Sequence, residues 1–264
     1  MFPYIKIFGH IIGLYSILSL CGIFSSGIYA CIMANKRKYD YSEVIIFGLF
    51  LSFGALIGGQ LLYSFVNYKR IINVFENIKR IDSVKTFFNA FSYVFGGLVY
   101  YGSLIGGIIV GFILVKKDSK YKKYIDIVAV CIPLFHFFGR IGCFLGGCCY
   151  GLPSKIGFIY SKSPIIEANG TRRFPIQLAE AFFNIALFIL LNYFYKNKKY
   201  ENKLFYIYLI LYAIGRFIME FFRGDEYRGI WLIFSTSQII SCLIIIIVLI
   251  KQSIVYKNYL KYND

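Results

Sequence analysis

The stretch IVAVCIPLFHFFGRIGCFLGGCCYGLP, residues 127–153, carries a single full charge, Arg140. About 20 apolar residues are what a helix needs to cross the hydrocarbon of a bilayer, and this run supplies them. A guanidinium at that depth costs about 2.5–3.5 kcal/mol on insertion scales. A chain retains such a group when it has something to hold, most often an anion. The pattern returns at Arg216, with Glu220 and Arg223 following it. Two arginines inside apolar runs point to chemistry on a phosphate or a carboxylate.

Working outward, the rest of the chain has the same character. Of 264 residues, 58% are hydrophobic and 20% aromatic, and the mean hydropathy is +0.65. Apolar runs long enough to span a bilayer fall at about 7–34, 44–67, 87–115, 125–145, 174–195, 204–222 and 230–250. The first is too long for a signal-peptide core and no small-residue cleavage site follows it, so it reads as a retained helix. The expectation is an all-α integral membrane protein, a bundle of about seven transmembrane helices in one domain covering residues 1–264. A formal charge of +16 is no argument for nucleic acid here, because the lysines sit in the segments between spans, where the positive-inside rule places them. Their distribution leans toward an N-out, C-in topology, with membrane lipids as the attracted partner.

Two outer-side segments are long enough to hold structure. Residues 68–86 mix charges with Ile, Val and Phe, as in a short interfacial helix between spans 2 and 3. Residues 146–173 contain glycines, prolines and serines and read as irregular chain beside the candidate site. Gly102, Gly106, Gly107 and Gly111 have the spacing of a helix-packing face.

If residues 134–144 are helical, His136, Arg140 and Cys143 fall at i, i+4 and i+7 and share a face. Gly139 and Gly142 leave the other side slim enough for a helix or a lipid headgroup. Gly146 and Gly147 predict the end of that helix. Tyr212, Arg216, Glu220 and Arg223 share a second face, where Glu220 lowers the cost of burying Arg216 and leaves guanidinium donors for a phosphate. A paired arginine bonded to Glu180 or Glu220, or a self-satisfied ion-pair ladder, is the structural alternative. A third group is Arg173, Pro175, Gln177 and Glu180, in which Pro175 suits a first helical turn. Ser235-Thr236-Ser237-Gln238 precedes the last span, as helix cap or polar packing.

These groups together resemble the bacterial prolipoprotein diacylglyceryl transferase family. The resemblance rests on Gly139-Arg140-Ile-Gly142-x-Phe144 continuing to Gly151, on Arg173-x-Pro-x-Gln177-Leu-x-Glu180, on Arg216-Phe-x-x-Glu220-Phe-Phe-Arg223, and on the late Ser/Gln segment with Gln238. Gly13-Leu-Tyr15 and Tyr101-Gly-Ser-Leu-Ile-Gly106 lie where the family has matching stretches, so the order holds from about residue 3 to 250. The resemblance implies transfer of the diacylglyceryl group of phosphatidylglycerol to the lipobox cysteine of a preprolipoprotein, with release of glycerol phosphate. It implies a bacterial plasma membrane location and no metal or cofactor. Arg140 and Arg216 would neutralise the departing phosphate, while Tyr15 and Tyr212 would bond the headgroup. Gly139, Gly142, Cys143, Cys148, Arg173, Gln177, Glu180, Glu220, Arg223 and Gln238 would complete the substrate site.

The chain departs from the family pattern at three places. Cys143 stands where the family has asparagine, Cys148 where it has glutamate, and Tyr101 where it has a histidine often proposed as the base. A tyrosine with its ordinary pKa near 10 is a poor base at neutral pH, so His136 becomes the candidate for that role. The Cys143, Cys148, Cys149 cluster admits a disulfide from Cys143 to Cys148 or Cys149, a zinc site, a lipid-bearing covalent thiol, or plain packing. Cys21, Cys31, Cys131 and Cys242 lie singly in apolar runs and read as packing residues. The competing functions are a relative using the same phospholipid with another acceptor, a membrane thiol–disulfide oxidoreductase, and a non-catalytic lipid-binding or transport protein.

Overall fold

A computed structural model describes residues 3–225, 230, 231 and 234–263. Its helices are α1 (Leu14–Lys36), α2 (Tyr41–Val66), α3 (Tyr68–Glu76), α4 (Val84–Phe95), α5 (Tyr100–Lys117), α6 (Ile125–Gly146), α7 (Ile176–Lys196), α8 (Leu204–Met219) and α9 (Thr236–Asn263). Among the described residues, seven helical segments are long and apolar enough to cross a membrane: α1, α2, α5, α6 with the 3-10 turn before it, α7, α8 with the turn after it, and most of α9. The protein is an all-α, multi-span membrane protein, with its backbone polar groups satisfied inside each span as hydrocarbon demands. The chain divides into two compact units, Met1–Met33 with Ile125–Asp264, and Ala34–Tyr124.

Three short antiparallel hairpins accompany the helices: β1 (Tyr4–Ile7) with β2 (His10–Gly13), β3 (Pro153–Ile159) with β4 (Arg172–Arg173), and β5 (Ile230–Trp231) with β6 (Phe234–Ser235). The first takes up the start of the expected span at 7–34. Ile7 pairs with His10, and the two turn residues, Phe8 and Gly9, have φ of 47° and 82°. Positive φ at both is the twist that suits a tight hairpin. Phe-Gly is an unusual pair for it, which is why the apolar run reads as helix from sequence.

In the unit Ala34–Tyr124, α2 and α5 pack backbone to backbone. A Cβ added to Gly58 would run into the Gly102 carbonyl, and one added to Gly106 into that of Gly54. Close approach through small residues is the usual way helices associate in lipid. The expected span at 87–115 is two helices. Gly96 and Gly97 break it, and Gly97 is pressed against the Tyr63 ring. Ser83 and Thr86 form a reciprocal cap at the start of α4. Residues 68–86 hold α3, a 3-10 turn at Ile78–Arg80 and the start of α4; Arg70 of α3 donates to the Tyr63 hydroxyl at 2.6 Å and lies over the Tyr63 and Tyr93 rings.

In the other unit, α6 packs along α7 and α8, and α8 along α9. A Cβ added to Gly22 of α1 would lie 3.1 to 3.2 Å from Phe135 and Phe138, and one added to Gly142 of α6 would lie 3.2 Å from the Tyr15 ring, so both contacts are close. Asp126, at the start of α6, accepts from the backbone N–H groups of Asn202 and Leu204 at 2.5 and 3.2 Å. It thereby fixes where α8 begins. One face of α7 is a buried polar stripe of Gln177, Glu180 and Asn184, at i, i+3 and i+7. Polar groups of this kind are costly to hold inside a membrane helix.

Candidate active site

Arg140 and Arg216 come from different helices and meet on Glu180. Arg140 Nη1 lies 3.0 Å from Glu180 Oε2, and Arg216 Nη1 lies 2.6 Å from Oε1. The second Arg216 nitrogen bonds Glu220 Oε2 at 2.6 Å and Ser237 Oγ at 3.1 Å. The result is a row of alternating charge, Arg140–Glu180–Arg216–Glu220, across α6, α7 and α8. The pairing offered above as the structural alternative is therefore present. It does not saturate both arginines equally. Arg216 is gripped by two carboxylates and a hydroxyl, and 9% of its side chain is exposed. Arg140 has Glu180 alone as ion-pair partner among the described residues, and its side chain is 20% exposed.

His136 stands one turn before Arg140, within electrostatic reach of both arginines and beside Asn184. Its ring centroid is 5.4 Å from that of Tyr212, and Tyr212 in turn stacks on Tyr208. Tyr15 packs over Gly142 within reach of Arg140, Cys143 and Cys148. A Cβ on Gly139 would meet nothing within 4 Å. Tyr101 is the second residue of α5, in the unit Ala34–Tyr124.

The α-helix ends at Met219 and tightens to a 3-10 turn over Glu220–Phe222. Arg223, just beyond it, is buried, holds Asp225 through Nε and Nη2 and lies within electrostatic reach of Glu180 and Cys149. Arg173 spends its donors on loop carbonyls: Glu167 at 2.5 Å, Ala168 at 3.3 Å and Gly151 at 3.3 Å. Its guanidinium also covers the Tyr150 ring at 4.3 Å. Gln177 donates to the Cys148 carbonyl at 2.7 Å and to the Tyr160 hydroxyl at 2.9 Å. Gln238 and Ser235 cap α9 reciprocally: each backbone N–H donates to the other's side-chain oxygen, at 2.9 and 3.2 Å.

After Gly146 the chain turns back on itself. Gly147 has φ 75° and Cys149 φ 54°, and the Cys148 N–H bonds the Cys143 carbonyl at 3.2 Å. This left-handed ending of α6 brings Cys143, Cys148 and Cys149 together, each sulfur within 4.8 Å of the others. All three are free thiols. Hydrogen bonds from the Cys143 and Cys148 sulfurs pull the Cys149 thiol well below its ordinary pKa, against burial and with help from Arg140 and Arg223. Beyond the thiols, Gly151 bridges to Arg223, Leu152 N–H bonds the Phe222 carbonyl, and Phe174 N–H bonds that of Leu152.

Asn184, Ser237, Cys149 and Tyr160 touch this site without having been singled out for it as individuals. Asn184 had a signal, its place seven residues after Gln177 on the same helical face. Ser237 and Tyr160 reach the site only through tertiary folding.

A family model described as prolipoprotein diacylglyceryl transferase matches residues 3–253. A phosphatidylglycerol–prolipoprotein diacylglyceryl transferase of Clostridium tetani is 34% identical over 246 residues, which cover 92% of this chain and 91% of the relative. A second, from Clostridium perfringens, is 31% identical over 245 residues, covering 91% and 90%. With a family match over nearly its whole length and relatives aligned end to end, the chain belongs to the prolipoprotein diacylglyceryl transferase family.

Proposed function

We propose that the protein, a multi-pass protein of the bacterial plasma membrane, moves the diacylglyceryl group of phosphatidylglycerol onto the lipobox cysteine of a preprolipoprotein. The observation that carries this is the unequal pairing of the two arginines. Arg216 is immobilised by Glu180, Glu220 and Ser237, whereas Arg140 keeps guanidinium donors and exposure for an incoming phosphodiester. Anion recognition by a forked guanidinium is strong and directional. In the reaction the acceptor sulfur forms a bond to the terminal glyceryl carbon, the bond from that carbon to the phosphate oxygen breaks, and glycerol phosphate leaves. Arg140 stabilises charge as it gathers on the phosphate, and Tyr15 and Tyr212 flank it as headgroup partners.

The acceptor thiol must also lose its proton. His136 is the candidate, one turn from Arg140 and beside Tyr212. His136→Gln is expected to abolish turnover nearly completely while phosphatidylglycerol still binds; turnover at the wild-type rate would move the role to another group, with Tyr101 next in line.

The deciding assay uses purified protein in phosphatidylglycerol micelles with a lipobox peptide, following glycerol phosphate release and peptide mass. A gain of one diacylglyceryl mass that disappears in Arg140→Ala supports the reading. Folded, lipid-binding protein that leaves the peptide unmodified would defeat it. Cys143 and Cys148, at positions where the family has asparagine and glutamate, favour one second reading: the same phospholipid with a different acceptor. Glycerol phosphate release without any change in the peptide is its signature.

A further inference from the structure

We propose that Cys143, Cys148 and Cys149 form a three-thiolate site for a soft d10 cation, zinc(II) in particular, with a fourth position open to an external sulfur. The geometry suits it. A zinc–sulfur bond is about 2.3 Å, so a metal held by three sulfurs spaces them by about 4 Å, and these lie within 4.8 Å of one another. The cluster contains sulfur donors alone, the set that favours zinc or copper(I) over magnesium or calcium.

The turn that gathers the thiols is built from outside. Gln177 holds the Cys148 carbonyl, and Ser163 Oγ donates to the Gly147 carbonyl at 3.0 Å. Tyr160, itself bonded to Gln177, is buried behind them. Outer hydrogen bonds of this kind are what keep metal ligands oriented. Cys149 takes a left-handed backbone conformation, φ 54°, which costs energy for a residue with a side chain.

Charge is also provided for. One divalent ion with three thiolates carries a net single negative charge, and Arg140 and Arg223 both lie within electrostatic reach of Cys149. Binding releases whatever protons the three thiols still carry to solvent and forms three metal–sulfur bonds. Nothing is oxidised or reduced. Zinc with three protein ligands keeps a fourth place for water or substrate, and a coordinating thiol is deprotonated outright. In the reaction proposed above the acceptor is a thiol, and that clause of the inference rests on that reading. The metal site itself does not.

The test uses the full chain in detergent, reduced with a phosphine and stripped of metal. A reference variant has Cys21, Cys31, Cys131 and Cys242 replaced by Ala. Cadmium(II) is the probe, read by its ultraviolet thiolate charge-transfer band, with circular dichroism confirming the fold. The reference variant is expected to bind one cadmium per chain. Zinc is expected to displace it, with X-ray absorption placing three sulfurs at about 2.3 Å. Cys143→Ser, Cys148→Ser and Cys149→Ser are each expected to weaken binding at least tenfold. No stoichiometric band in the folded reference variant, or a band unchanged by Cys143→Ser, overturns the site. A lipobox peptide with its cysteine is expected to add a fourth thiolate to the band and the serine peptide nothing. Equal spectra with both peptides overturn the open fourth position, and neither arm reads transferase activity.

Discussion

At the scale of single residues, Arg140 and Arg216 show that identical side chains can stand in unequal positions. Arg216 ties together Glu180, Glu220 and Ser237, so removing it takes an ion-pair partner from two buried carboxylates. Loss of one partner of a buried pair costs about 3–5 kcal/mol. Arg216→Ala is therefore expected to lower both transfer and the unfolding midpoint measured in micelles. Arg140→Ala is expected to lower transfer by about 10²–10³-fold, the usual loss for a donor aimed at developing charge, with a much smaller change in midpoint. Equal destabilisation by the two would refute the division of labour. The Arg216–Glu220 pair was legible from sequence, because four residues is a helical turn. Glu180 was visible as a partner for a buried arginine. That one carboxylate serves both arginines could not be read from spacing, since it depends on how α6, α7 and α8 pack. The roles expected of Arg173 and Arg223 came from charge type, whereas what surrounds them, loop carbonyls for one and Asp225 for the other, is set by chain turns that spacing does not encode.

At the scale of elements, hydrophobic runs located the spans and missed where turns cut into them. The hairpin at Phe8-Gly9 and the break at Gly96-Gly97 are backbone events inside apolar sequence, so composition passes over them. The α2–α5 glycines were legible in part: the α5 set had the packing spacing, while Gly54 and Gly58 as its counterparts came from the structure. Gly102→Val is expected to cost about 1–3 kcal/mol by forcing the two backbones apart, read as a lowered unfolding midpoint. A midpoint unchanged by the substitution would show that the contact is not close. Beside the thiol turn, burial pushes the Tyr160 hydroxyl up to about 12 from 10.0, against the opposing bond from Gln177. A raised folded-state pKa favours the folded state below the unfolded value. That contribution is full below about pH 10 and is lost as pH rises through about 12. Thermal unfolding of wild type should fall across this window more steeply than that of Tyr160→Phe; parallel curves would contradict the burial.

At the scale of the whole molecule, 29 lysines and arginines against 13 acids give the chain its formal charge of +16. Basic groups near an anionic surface contribute about 1 kcal/mol each. Detergent-purified protein is expected to carry phosphatidylglycerol in excess of its share of the membrane, and high salt should reduce that excess. Lipid extracts matching the membrane's bulk composition at low salt would count against it. Fold class was legible at this scale because the bilayer leaves a chain so few options: about twenty apolar residues in a row, repeated along the chain, have one stable form. The places where buried charges meet were legible because charge in such runs is costly and rare.

The bridges from Gly151 to Arg223 and from Leu152 to Phe222 have a consequence for how a two-tailed lipid arrives. They sew the loop leaving α6 to the end of α8, so the ends of the two arginine-bearing helices are held as one piece. The flank at Gly139 is bare, with nothing within 4 Å of where a side chain would begin. In the phospholipid reaction proposed above, a headgroup entering over that glycine would approach Arg140 with its acyl tails still among their neighbours, and the hydrophobic cost of extracting two chains would not be incurred.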